Sequence, residues 1–189
     1  MVINEKVLVR ELKAAYKSGG YIVINRPGGR TVFWTPAWTV EINTENLPRE
    51  VLALLALHMG CLPEEGRSYR IMKGKDEPTV QTMLFESAII PIRNLEEAVQ
   101  MAAEVMTVTA RKTVLTFDGW NIWQKIGNNG CLLVNPTCEQ LLRKRDEVII
   151  VGDYLYKEGE ISKVYILRGN EPRHENQLNH LGQILWIAK

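Results

Sequence analysis

The residues best able to do chemistry are few, and their spacing does not converge on one reaction. Arg26-Pro27-Gly28-Gly29-Arg30 is a tight glycine turn between two guanidinium groups. Consecutive amides in such a turn form a concavity for anions, so Arg26, Gly28, Gly29 and Arg30 are candidate anion-binding residues. A phosphate loop or a dinucleotide fingerprint also requires a helix directly after the glycines, whose N-terminus holds the anion. Here Thr31-Val32-Phe33-Trp34 follows, a β-branched and aromatic run that favours a plain hairpin turn.

Cys138 is placed by the sequence in the first turn of a short helix, where the helix dipole lowers a thiol pKa and favours the nucleophilic thiolate. A histidine base would have to meet it in space. His58, His174 and His180 are the three histidines, and none sits in a local catalytic signature. Cys131, Cys138, His174 and His180 together make a formal zinc set, but no pair has the two-to-four-residue spacing of a structural knuckle. We therefore expect no metal and no cofactor. Asp118 and Glu86 are carboxylates without an evident partner, and Asp118-Gly119 reads as a turn. No catalytic residue is assigned.

Arg67, Arg70, Lys73 and Lys75 cluster around Tyr69, and Arg143-Lys144-Arg145 forms a second basic run. Glu64, Glu65, Asp76, Glu77, Asp146 and Glu147 dilute both, and the net charge is +1. Proteins that live by binding nucleic acid or anionic membrane carry a larger basic excess, so nucleic acid is a minor alternative and no membrane partner is expected. The start of the chain lacks the pattern of a secretory signal, and no apolar run approaches the ~20 residues of a membrane span. Three cysteines without tight pairing suit a reducing compartment, and the expectation is a soluble, cytoplasmic protein.

These residues must be positioned by an α+β fold of mixed or antiparallel sheets with about four helices. The spacing predicts a helix over residues 4–18 capped by Asn4 and stopped at Gly19-Gly20, and a hairpin of Tyr21–Asn25 with Thr31–Trp34. A third strand, Trp38–Ile42, precedes a helix capped by Asn46 that runs to Gly60. Strands near Ser68–Lys73 and Thr79–Ile90 follow, with Pro91 closing the half. Asn94-Leu95-Glu96-Glu97 opens a third helix. Strands at Thr113–Phe117, Trp120–Ile126 and Cys131–Val134 come next, then a short helix capped by Thr137 with Gln140. A hairpin of Glu147–Tyr156 with Ser162–Arg168 and a last strand, Gly182–Ala188, complete the chain.

Helix, three strands, helix and two strands thus occur twice, which raises a tandem pseudo-duplication. Short matches accompany it: Ile71-Met72-Lys73-Gly74 with Ile166-Leu167-Arg168-Gly169, and Ile42-Asn43 with Val134-Asn135. The expected halves are residues 1–92 and 93–189, interlocked as one unit because each alone has a marginal core.

Strand alternation puts Phe33 between Thr31 and Thr35, and Trp123 on the face of Asn121 and Lys125. A large aromatic on a polar strand face is either covered by a helix or open to a partner. Phe33 and Trp123 are accordingly the candidate partner-binding residues. The functional expectation is a non-enzymatic binding or regulatory protein acting through a protein partner, with a homodimer as one form of it. The competing expectations are an enzyme or binder of a phosphorylated, nucleotide-like ligand at the Arg26–Arg30 turn, and a nucleic-acid binder.

Overall fold

The computed structural model describes residues 1–105, 108–127, 130–143 and 147–169. Asn4 caps α1 (Glu5–Ser18), its side chain accepting from the Val7 amide, and the helix ends at Gly19. Next come β1 (Tyr21–Arg26), β2 (Arg30–Trp34) and β3 (Trp38–Asn43). A 3-10 turn at Thr44–Asn46 absorbs Asn46, so Pro48 stands at the N-cap of α2 (Arg49–Met59) in its place. Gly60 closes α2 in the left-handed conformation that C-caps favour. The first half is completed by β4 (Arg67–Lys73) and β5 (Pro78–Met83).

The strand expected to run on to Ile90 stops at Met83, and α3 (Phe85–Val105) begins where it was expected to continue. Pro91 therefore lies inside a helix and does not end the half. Burial is the reason: Ala88, Ile89 and Ile92 pack with Ile24 and Val32, while Leu95 packs with Val151, Tyr156 and Tyr165. Pro91 removes one helical bond, to the Ser87 carbonyl, on an exposed residue where water can take it. The expected boundary at 92/93 falls within this helix.

The second half contains β6 (Val108–Phe117), β7 (Trp120–Lys125), β8 (Cys131–Val134), α4 (Pro136–Glu139), β9 (Val148–Val151), β10 (Tyr154–Gly159) and β11 (Ser162–Gly169). Asp118 and Gly119 both have positive φ, 48° and 78°, as a tight β6–β7 hairpin turn requires. Asn135, not Thr137, caps α4. The strand expected over Glu147–Tyr156 is two strands, broken by the turn at Gly152-Asp153. The expected strand Gly182–Ala188 lies outside the described residues.

The α+β expectation is met by one sheet of eleven strands in the order β10-β9-β6-β7-β8-β11-β3-β2-β1-β4-β5, with all its pairings antiparallel. A further pairing of β10 with β11 turns six of the strands into a closed circuit. The remaining five extend from β11 as an open sheet ending at β5. The pairing order β3-β2-β1-β4-β5 recurs as β8-β7-β6-β9-β10. Ile42-Asn43 and Val134-Asn135 hold equivalent places in the two blocks, at the ends of β3 and β8. Their asparagines share a backbone conformation, φ −57° and ψ 127° for Asn43 and φ −59° and ψ 121° for Asn135. The match of Ile71 with Ile166 does not follow the scheme, since β4 corresponds to β9 and not to β11. Common descent of the two halves is a proposal that this recurrence motivates.

Phe33 and Trp123 have no exposed surface and belong to the main core with α1, α2 and the α4 segment. Neither is available to a partner on this surface, which corrects their reading as partner-binding residues. Their polar neighbours are satisfied internally: the Thr31 and Thr44 hydroxyls meet at 3.0 Å, Thr35 Oγ1 donates to the Trp38 carbonyl at 3.1 Å, and Asn121 donates to the Glu139 carboxylate. Threonine and asparagine on a strand face therefore mark interior hydrogen bonds here and not solvent. Truncating a buried aromatic costs about 3 to 5 kcal/mol, and each kcal/mol lowers the melting temperature of a chain this size by about 2 to 4 °C. The double variant Phe33→Ala with Trp123→Ala should melt at least about 10 °C below the parent by circular dichroism.

Candidate functional site

A largely apolar cleft of about 610 Å³, with a few polar groups in its lining, lies across one end of the first-half sheet. It opens where β1 starts and β2 ends. Tyr21, Ile22, Trp34, Trp38 and Met83 supply its large apolar walls, Ala14 and Ala15 of α1 one side, and Glu11, Thr35, Arg70 and Cys138 its polar edge. Its volume falls within the ~300 to 1,000 Å³ of small-molecule sites.

Local sequence explains each wall. Gly20, at φ 91°, is pressed against β4: a Cβ there would meet the Ile71 carbonyl oxygen at 2.6 Å and the Met72 Cβ at 2.9 Å. Only glycine lets the α1–β1 turn lie this close to the sheet and leave the space above it open. Opposite, Thr35-Pro36-Ala37-Trp38 is a turn fixed by one hydroxyl, Thr35 Oγ1 accepting from the Trp38 amide at 3.1 Å and the Ala37 amide at 3.3 Å. At the end of α1 the Ala15 carbonyl accepts from the Gly19 and Gly20 amides, and the carbonyl of the capping Gly19 accepts from the Arg70 guanidinium at 3.0 Å.

The titratable neighbours are tied down. Glu11 is buried and accepts from Arg10, whose other nitrogen reaches Gln140. Cys138 is buried, and burial, reinforced by Glu11, pushes its thiol up to about 11. It is a protonated thiol at neutral pH. The expected dipole effect is outweighed because α4 is a single turn and desolvation dominates. Tyr21 contributes its ring to the cleft while its hydroxyl bonds His58 Nδ1 at 3.1 Å, and the His58 ring stacks on Tyr16 at 4.0 Å. Burial first, and Lys13 second, lower the His58 pKa.

The residues singled out in the sequence are brought together only in part. Arg26 and Arg30 do converge, but on carboxylates of the chain itself. Arg26 pairs with Glu41 at 2.7 Å and Glu96 at 2.6 Å, and Arg30 with Glu41 at 3.3 Å. The Gly28 amide donates to Glu65 at 2.8 Å, so the turn does hold an anion, an internal one. A phosphate would have to displace those carboxylates. Cys131 and Cys138 sit in separate apolar clusters. Among the described residues no group of three His, Cys, Asp or Glu side chains is arranged to hold a metal, and His174 and His180 lie outside them. Arg67 and Lys73 share one face of β4 while Arg70 lies on the other, so that run is no continuous basic stripe. Lys144 and Arg145 of the second run are outside the described residues. Glu86 pairs with Arg93 on the surface, and Asp118 forms the β6–β7 turn. Among the described residues no helix is long and apolar enough to cross a membrane.

Sequence reasoning missed Glu139, a fully buried carboxylate that pairs with Lys112 at 2.7 Å and accepts from Asn121 and from the Trp123 indole at 3.3 Å. It also missed the cleft. No local signal announces either, because their parts come from distant segments. Comparison with known protein families, with curated proteins and with solved structures finds no match.

The lowered pKa of His58 carries a pH dependence. The unfolded imidazole takes its proton near pH 6.5 and the folded one only at lower pH. Folding stability is therefore fullest above about pH 6.5 and falls as the pH drops from there through the folded pKa. Denaturant midpoints taken from pH 7.5 to 5 should fall for the parent chain, and the fall should be shallower in His58→Phe, which retains the stack on Tyr16.

Proposed function

We propose that the protein acts by binding and not by catalysis, and that its site is the cleft beside the α1–β1 turn. One observation carries the reading: the cleft is preformed and apolar, and the acid and thiol on its border are held out of reaction, Glu11 by Arg10 and Cys138 by burial. Such a border favours retention of an apolar group over its chemical conversion. The neutral dye N-phenyl-1-naphthylamine should bind the full chain at one site, seen as saturable fluorescence enhancement. Ala14→Trp, on an exposed helix position that borders the cleft, should abolish that signal, whereas Val114→Trp, at a strand position 98% exposed, should not. Absence of saturation, or a signal indifferent to Ala14→Trp, would defeat the reading.

A second reading keeps the protein partner, now at β5. This strand ends the open sheet and carries no charge from Pro78 to Met83. Its register with β4 has no bulge, so of the usual guards against edge pairing it carries only Pro78, at its start. The occupant we assign is a second copy. Antiparallel pairing about Gln81 sets Val80 against Thr82 and Thr79 against Met83 of the other copy, with no like charges facing. Sedimentation velocity should then show a dimer that the pair Val80→Lys with Thr82→Lys, which opposes lysines across the dyad, returns to monomer. A parent chain that sediments as a monomer at every concentration would exclude this reading.

A further inference from the structure

The cleft's polar mouth narrows the class of ligand, an inference that rests on the reading of the cleft as a binding site. Arg70, Ile22 and Trp34 are direct cross-strand neighbours in one row, Ile22 opposite Arg70 on β4 and opposite Trp34 on β2. All three line the cleft. Adjacent strands lie about 4.8 Å apart, so the Arg70 and Trp34 backbones are about 10 Å apart with Ile22 between them. An apolar body resting on Ile22 against the Trp34 ring therefore lies beside the strand that carries Arg70, whose guanidinium also lines the cleft and reaches the Gly19 carbonyl at 3.0 Å.

That guanidinium is oriented but not neutralised. One nitrogen donates to the Gly19 carbonyl, and no carboxylate among the described residues pairs with Arg70. The guanidinium fork still has donors to offer to two oxygens at once, the geometry by which arginine recognises carboxylates. The acid on the cleft's border, Glu11, is already paired with Arg10 and makes no demand for a ligand cation.

We propose that the cleft binds a small carboxylic acid with an aromatic or branched apolar body, the ring seated on Ile22 and Trp34 and the carboxylate on Arg70. One cation matches one negative charge. A phosphate monoester, with about 1.5 to 2 charges, would call for more cations than this mouth supplies.

Naphthalene-1-acetate and naphthalene-1-acetamide share ring and shape and differ in charge, so calorimetric titration of both into the full chain isolates the Arg70 contribution. The acid should bind at least about tenfold tighter than the amide, an advantage that shrinks with added salt. Arg70→Gln keeps a donor for the Gly19 carbonyl but removes the charge. It should bring the acid to within about twofold of the amide, with an unchanged melting temperature. Equal affinities in the parent chain, or an advantage that survives Arg70→Gln, would overturn the assignment. If the neutral dye binds while acid and amide do not differ, the cleft reading stands and this inference alone falls. If the dye also fails to bind, both fall.

Discussion

The constraint on which the rest of the structure depends is the shared edge of β11. One side of this strand pairs with β10 along residues 162–167, while the other pairs first with β3, from Ser162 to Ile166, and then with β8, at Arg168 and Gly169. A single strand thereby closes the six-strand circuit and fastens the open sheet to it. Gly169 is where the arrangement is tightest. The Trp120 ring lies so close that a Cβ would meet it at 2.5 Å, and a side chain at this position would push the ring away from the β8–β11 join.

The halves are joined a second time through polar contacts beneath α3. Glu96 on that helix meets Arg26 on β1, which also holds Glu41 on β3, and Glu41 in turn holds Arg30 on β2. Further along the same sheet face Tyr156 donates to Glu158, which pairs with Lys163, and burial together with that carboxylate pushes the Tyr156 pKa up. Half-buried charges of this kind add little net stability, since desolvation offsets much of their attraction. Their effect is positional: an unpaired Glu41, with almost no access to water, would be costly, so α3 and the first three strands are held in one relative placement. The residues that looked in the sequence like an anion site are part of this internal bracing.

Elements were legible in the sequence wherever the signal was local. The β-branched and aromatic runs of β1 to β3, the capping asparagine of α1 and the Asp118-Gly119 turn depend on neighbours a few residues away, and they are found where they were expected. Where partners are distant the local signal misled. Pro91 looked like a terminator, because nothing in Phe85–Ile90 tells that Ala88 and Ile89 will be covered by Ile24 and Val32. Trp123 looked half-polar, because Asn121 is solvated or buried according to whether Glu139 arrives above it. The candidate site was the least legible part. Its walls come from α1, the starts of β1 and β3, the end of β2, single positions on β4 and β5, and Cys138, and they meet only after long-range pairing. Arg70 stood out as one member of a basic run, yet alternation along β4 separates it from that run and turns it toward Ile22 and Trp34.

The position of β11 near the end of the described chain has a kinetic consequence. The open side of β3 is made by residue 43, but the strand that covers it begins at residue 162. On a growing chain, the sheet of the first half must therefore wait with an unpaired central edge until nearly the whole second half has left the ribosome. Contacts of such sequence separation close slowly, and an uncovered strand edge is open to pairing with other chains meanwhile. Nascent molecules of this protein should thus be most vulnerable to aggregation in the interval between completion of β3 and arrival of β11.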